Sequence, residues 1–253
     1  MTRAVTDAVL SALSARRPVA ASVLLLVAHP DDEVLGASVT LRCAERLRLV
    51  HATDGSGGDA VITAERFREL LAALESLDVE PTIAPCGYPD GSLIGHAAAL
   101  AEHLAGWLSD TDVLITHAFE GGHPDHDACA LAAQLACTRE LERSGRRVAR
   151  LEFAIYARID GAIRTNAFPP ADAVLATTLQ LSPEEQARKR RSLQAFASQR
   201  HVVDRFPLAT ETLRPTPEYD FSVPRDPAQL LFAFGEPSRE TRWREAAAAA
   251  LTR

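Results

Sequence analysis

Within "LLLVAHPDDEVLG", residues 24–36, an apolar run stops at one imidazole, His29, and three carboxylates, Asp31, Asp32 and Glu33. A second short segment, "HPDH" at 123–126, offers His123, Asp125 and His126. Each group has an ordinary use when taken singly. A histidine near a strand end commonly makes a structural hydrogen bond, and an aspartate just before a helix commonly caps it. Carboxylates crowded at 31–33 repel one another, and a divalent cation relieves that repulsion. Two imidazoles and one carboxylate make a tripod with open positions, which zinc accepts in catalytic sites while keeping water in the remaining place. Such a metal lowers the pKa of its water towards ~7. A second carboxylate can then take the water's proton, and a second imidazole can serve the other end of the reaction. The two segments supply more groups than a tripod needs, which favours hydrolysis over a closed structural site. Residue types and spacing alone leave open which group does which.

These segments need elements to bring them together. Residues 4–15 carry a helical stripe of Val5, Val9, Leu10 and Leu13. "SVLLLVA" (22–28) is a continuous apolar run, as expected of a parallel strand covered on both faces. Helices are expected at 33–47, 64–77 (Phe67, Leu70, Leu71, Leu74 and Leu77 on one side), 96–108 and 127–143, with strands at 47–53, 81–87, 112–117 and 150–157. This alternation predicts an α/β fold: a single Rossmann-like domain over 1–253, with a mostly parallel sheet and helices on both faces. The core spans about 20–200 and an irregular extension covers 201–253. In it, 206–237 is Pro-rich and aperiodic, and 238–251 is a closing helix. A further strand is expected at 174–181, and a helix starts at Ser182 with Pro183, Glu184 and Glu185 in its first turn. In open sheets of this kind ligands bind beyond the carboxyl ends of the strands. "HPDDE", "TDGSGGD" (53–59), "YPDGS" (88–92) and "HAFEGGHPDH" (117–126) each follow a strand, so all four fall on one rim.

Composition excludes several classes. A net charge of −7 lacks the basic footprint of a nucleic-acid binder, and "RKRR" (188–191) reads as a solvated helix face. No stretch reaches the ~18–20 apolar residues of a membrane helix. Cys43, Cys86, Cys129 and Cys137 lie apart without a C-x-x-C pair, as buried reduced thiols of a cytoplasmic protein would. His51, His96, His103 and His201 read as structural or surface residues, while His117, at the end of a strand, could support the site from behind.

"AHPDDE" (28–33) together with "HPDH" (123–126) resembles the PIG-L/LmbE-like family of zinc-dependent N-acetylglucosaminyl de-N-acetylases. Secondary matches over about 23–200 are "TDG" (53–55), the R-x-x-E pair Arg66 and Glu69, "PDGSL" (89–93) and the late helix ending at Gln199. The resemblance implies an N-acylated amino-sugar substrate and a bound zinc, with Fe2+ or Co2+ as alternative ions. It implies His29, Asp32 and His126 as ligands, Asp31 as general base, and His123 as the cationic partner of the oxyanion or amine. It further implies that Asp125 orients His123, and that Arg66 and Asp90 contact substrate. Glu33 fits the helix N-terminus better than the metal. One departure is Gly121, where some members carry a tyrosine, so any phenol donor comes from elsewhere. The oligomeric state is open between monomer and homo-oligomer.

Two rival readings use the same residues. His29-x-Asp31 with a distant histidine also fits the facial triad of Fe(II)/2-oxoglutarate oxygenases, which are β-rolls. "DGSGGD" could cradle a phosphate in a non-catalytic sugar- or nucleotide-binding module, but it lacks the trailing Lys-Ser/Thr of a P-loop.

Overall fold

The computed structural model describes residues 2–169, 175–223 and 237–252. The last five residues of β1 (Val19–Val27) are all buried, which makes β1 a central strand. Its side chains alternate between two apolar layers, as the strand's two-residue period requires. Val23, Leu25 and Val27 pack with Val9, Leu13 and Leu70 on one face. Leu24, Leu26 and Ala28 pack with Leu100, Leu104 and Ala132 on the other. Five strands run parallel: β1, β2 (Ala44–Thr53), β3 (Thr82–Tyr88), β4 (Val113–His117) and β5 (Ala149–Phe153). Their order is β3-β2-β1-β4-β5, so the chain reverses direction across the sheet between β1 and β4. That switch point opens a crevice beyond the carboxyl ends of both strands.

Helices α1 (Thr2–Ser14), α2 (Asp32–Cys43), α3 (Ala60–Ser76), α4 (Ala97–Leu108) and α5 (Pro124–Ser144) flank the sheet, followed by α6 (Pro183–Gln194), α7 (Arg200–Val203) and the closing α8 (Pro237–Leu251). The α/β fold expected from the alternation is therefore the observed one. Helix α6 starts on a full capping box between Ser182 and Glu185, with Pro183 in its first turn.

Several elements differ from the sequence expectation. Helix 33–47 stops at Cys43, and β2 already begins at Ala44. Helix α3 starts at Ala60, because the Asp59 side chain accepts from the N–H groups of Val61 and Ile62. Its buried face is rotated from the expected stripe. Arg66 turns inward, and Phe67 and Leu71 are 41% and 45% exposed. The strand expected at 150–157 breaks after Phe153, and Tyr156–Ile159 (β6) instead pairs with Ala162–Thr165 (β7) in a separate hairpin. The largest difference lies in the extension. Thr210–Pro215 (β9) enters the main sheet antiparallel to β5, and Thr177–Gln180 (β8) pairs on its far side. Apart from Pro237, which opens α8, the rest of the stretch 206–237 shows no further regular element among the described residues.

The inserted strand acts on the site through α2. Helix geometry breaks at Ala37 (φ −143°, ψ 28°). At the break the Glu211 carboxylate accepts from the N–H groups of Ser38 and Val39, both at 3.0 Å. Lys189 Nζ donates to Leu35 O and to Glu211 Oε1, each at 2.7 Å. Lys189 is thus buried, not part of a solvated "RKRR" face. This pair splices the two halves of α2 and sets the direction of the first turn, which carries Asp32. Gly36 sits at the same bend, where an added Cβ would collide with the Phe153 ring and lie 2.8 Å from Ile155 Cδ1. Gly36→Ala is expected to cost about 1–3 kcal/mol by overpacking, read as a lower urea midpoint at unchanged slope. An unmoved midpoint would show that the bend is not tightly packed.

Candidate active site

Strand β1 delivers His29–Asp32 to the crevice, and the backbone there is strained. Asp31 adopts φ 134° and ψ −30°, a region costly for a residue with a Cβ and held only where surroundings over-determine it. Its carbonyl accepts from Val34 N (3.0 Å) and Leu35 N (2.9 Å), which begins α2. Its N–H donates to Glu33 Oε2 at 3.1 Å, and the same oxygen lies 3.1 Å from His51 Nε2. Glu33 therefore braces the loop from behind together with His51, which is buried. Although Asp31 occupies the N-cap position, its side chain makes no capping bond. The ordinary reading of this aspartate as a helix cap does not hold. Its carboxylate instead meets Arg66 Nη2 at 3.0 Å.

Arg66, expected to contact substrate, also holds the protein together. It is 3% exposed, and its guanidinium donates to Gly55 O, Pro30 O and Asp31. Those bonds tie the loops after β1 and β2 together, while its Nε is buried without a partner and the residue lines the catalytic cavity. Glu69, its R-x-x-E partner in sequence, accepts from Ser198 N (2.8 Å) and Oγ (2.6 Å) and so ties to α3 the short 3-10 turn Ala197–Gln199, which is separate from α6, the late helix having ended at Gln194 rather than Gln199.

Asp32 is the hub of the cluster. Its Oδ2 accepts from His29 N at 2.9 Å and lies 3.2 Å from His29 Nδ1, while its Oδ1 lies 3.3 Å from His126 Nε2. Among the described residues three overlapping donor sets, His29–His123–His126, Asp32–His117–His126 and His29–Asp90–Asp125, each have their ligand atoms within 4.8 Å of one another. The expected trio of His29, Asp32 and His126 is not itself one of these sets; it draws on the first two, its members meeting through Asp32. His117 was weakly signalled in sequence, yet it stacks on His126 with ring centroids 3.9 Å apart. Its Nε2 accepts the Ala28 N–H at 3.0 Å, so that lone pair is already taken and the ring serves as a plate behind His126.

The charges identify what the cluster can hold. On the open side His29 Nε2 lies 2.9 Å from Asp90 Oδ1 and 3.5 Å from Asp125 Oδ2. Burial opposes a charge on His29, but hydrogen bonds to Asp125, Asp32 and Asp90 outweigh it and push its pKa well above the ordinary value. Three carboxylates around one imidazole require a positive charge, which either a proton or a metal ion can provide. Burial, then His117, lowers His126 to about 4, leaving a neutral imidazole, and its Nδ1 is buried without a partner. A neutral imidazole, an anionic carboxylate and a second imidazole in a cation-demanding pocket fit zinc's N/O preference. Burial, then the neighbouring Asp32, pushes Asp31 well above the usual carboxylate range, although Arg66 opposes this.

The second motif departs from expectation in two respects. His123 caps α5, its Nδ1 accepting the Asp125 N–H at 3.2 Å. Burial, then His29 and His126, lowers its pKa to about 3. The ring is therefore neutral with its remaining N–H on Nε2, not the expected cation. The Asp125 carboxylate does not orient that ring. It accepts from Gly91 N (2.7 Å) and Leu93 N (3.0 Å), pinning the turn that carries Asp90. Asp90 itself is partly exposed at the mouth, its pKa drawn down to about 2 chiefly by the His29 hydrogen bond.

A tyrosine from another element, Tyr156, lines the same cavity. Tyr156 is held by its N–H on Glu120 Oε1 (2.9 Å), with its ring 5.5 Å from that of His126. Its backbone lies so close to Gly122 that a Cβ there would collide with the Tyr156 carbonyl. No periodicity links residue 156 to the motif, so nothing in the spacing of residues pointed to it. A cavity of about 150 Å3 results, lined by His29, Asp31, Asp32, Asp90, His123 and His126 and closed by Tyr156 and residues of the extension.

Residues 24–137 match the PIG-L family model, described as GlcNAc-PI de-N-acetylase, and this span contains both motifs. Residues 24–137 thus match the family that the resemblance named. No curated protein matches the chain. Among solved structures, teicoplanin deacetylase Orf2 in its zinc-inhibited form is similar at 15% identity and TM-score 0.55, over 79% of this chain and 99% of that one. A conserved protein of Thermus thermophilus is similar at 21% identity and TM-score 0.56, over 81% and 99%. The N,N'-diacetylchitobiose deacetylase of Pyrococcus horikoshii is similar at 16% identity and TM-score 0.53, over 83% and 89%. These likenesses establish a shared fold, and a parallel α/β sheet is not the β-roll of the oxygenase reading.

Proposed function

We propose that this chain, acting as one domain, is a zinc-dependent hydrolase that removes an N-acetyl or related N-acyl group from an amino-sugar-containing small molecule. The observation that carries the reading is Asp31. It is a strained, buried carboxylate that caps nothing and adjoins the donors His29, Asp32 and His126. The PIG-L family match and the deacetylase names of the structural relatives support the same reaction class. The four free thiols agree with a reducing, cytoplasmic setting.

His29, Asp32 and His126 would hold the ion, with Fe2+ or Co2+ as alternatives. When bound, zinc supplies Lewis-acid polarisation and a lowered pKa for a coordinated water. Asp31 takes the proton of the attacking water, and burial, which raises its pKa, makes it a stronger base than an exposed carboxylate. His123 presents its neutral Nε2–H to the oxygen that becomes negative as the amide carbon turns tetrahedral. A neutral imidazole is a poor acid, so the proton on Asp31 is the one passed to the departing amine. Arg66 holds the Asp31 carboxylate in place, and Asp90 meets the substrate at the mouth. The test is acetate release from N-acetylated amino sugars by the zinc-loaded protein, abolished by a chelator and restored by zinc. Loaded protein that releases no acetate from any of them would overturn the reading.

A further inference from the structure

We infer that the outer face of helix α3 and the groove beside it form a homodimer interface, with two copies of α3 packed antiparallel about a two-fold axis at Leu71. The inference does not depend on the hydrolase reading. Helix α3 turns Arg66, Glu69, Leu70, Ala73 and Leu74 inward. At spacings of four, three and four residues, Ala60, Ala64, Phe67 and Leu71 recur along one face, and all four are exposed. That periodicity marks a helix face that packs on another helix. Beside it lies a groove of about 810 Å3, between the last turns of α3 and the start of β3. Strand β3 ends the main sheet, so this side is open. Leu71, Leu74, Pro81 and Ile83 give the groove an apolar lining, and Glu75, Asp78 and Glu80 add carboxylates. Asp78 is paired with Arg188 at 3.2 Å, whereas Glu75 and Glu80 have no ion-pair partner among the described residues.

Shape and charge choose the occupant. An apolar groove rimmed by carboxylates takes an apolar knob that carries a cation beside it. Phe67 and Arg68 are such a pair, and they stand one turn before the groove on the same helix. Phe67 is exposed, and the Arg68 guanidinium donates to Ala64 O (3.2 Å) with no carboxylate partner among the described residues. Knob and groove on one face make the patch self-complementary, as an isologous two-fold interface requires. The register follows from the spacing. With Leu71 on the axis against its own copy, Phe67, four residues before it, meets the groove at Leu74 and Glu75 of the second copy. A two-fold across antiparallel helices keeps the same flanks together, so Arg68 meets Glu75 of the second copy. Ala64, a further turn back, is small enough to let the second copy's turn at Asp78 come close. Both copies make every contact, so each favourable pair counts twice.

The experiment is sedimentation equilibrium of the full chain and its variants, joined to disulfide trapping. The wild type should sediment at twice the chain mass and dissociate on dilution. Phe67→Asp should raise the dissociation constant at least ~30-fold, the loss expected of a central interface anchor, with circular dichroism unchanged because the position is exposed. Arg68→Glu and Glu75→Arg should each weaken the dimer, and the double variant, which restores the pair in reverse, should recover most of the loss. Leu71→Cys should cross-link to its own copy under mild oxidation, since a disulfide forms only where the two Cβ atoms meet. Val61→Cys, 76% exposed but off the stripe, should not. A wild type that stays monomeric at ~100 μM would overturn the dimer and leave the groove to an occupant other than this chain. A dimer that neither weakens with Phe67→Asp nor cross-links through Leu71→Cys would place the interface elsewhere and overturn it equally. A double charge variant no tighter than its singles would refute the antiparallel register.

Discussion

Asp31→Asn is expected to retain its zinc and lose about 10²–10⁴-fold in kcat, the usual contribution of a positioned general base. Asparagine keeps the shape of the side chain and tolerates positive φ better than most residues, so the strained turn at φ 134° should survive. The Arg66 Nη2 contact at 3.0 Å can still be made to an amide oxygen. What the substitution removes is the capacity to accept a proton beside the donor cluster. Steady-state kinetics with zinc analysis on the same sample separate the two effects. Wild-type turnover in the variant would remove Asp31 as the base. Turnover lost together with the zinc would make Asp31 a ligand instead.

Asp32→Ala and His29→Ala should each lose the metal. Asp32 contacts both His29 and His126, so its removal disconnects the two imidazoles as well as deleting a donor. Deleting an outer hydrogen-bond partner of a metal ligand typically costs ~10–100-fold in affinity, and deletion of a ligand should exceed that. After dialysis against a weak chelator, elemental analysis is expected to find about one zinc per wild-type chain and almost none in either variant, with circular dichroism showing that both remain folded. Full zinc content in both would refute the assignment of His29 and Asp32.

Much of this was legible in the sequence for a physical reason. The central strands are apolar runs, and the two H-P-D segments follow β1 and precede α5, so a parallel sheet alone places them on one rim. Elements that depend on distant partners were not legible. Strand β9 hides because Glu211 and Arg214 are charged yet buried, each neutralised by a partner far away in sequence: Lys189 for Glu211 and Glu152 for Arg214. Lys189 looked like one member of a basic run for the same reason. Arg66 is expected from the sequence to contact substrate and Asp125 to orient His123, but their hydrogen bonds to Pro30 O, Gly55 O, Gly91 N and Leu93 N exist only after loops from different strands meet. The charge state of His123 likewise follows from burial beside two other imidazoles, which no spacing within "HPDH" encodes.

The most direct test of the account is a zinc titration of the metal-stripped protein, with acetate release from an N-acetylated amino sugar measured at each point. The rate should rise in proportion to bound zinc and level off at one ion per chain. Acetate release by the stripped protein, or a rate that does not respond as zinc fills the site, would contradict a metal-dependent hydrolase centred on His29, Asp32 and His126.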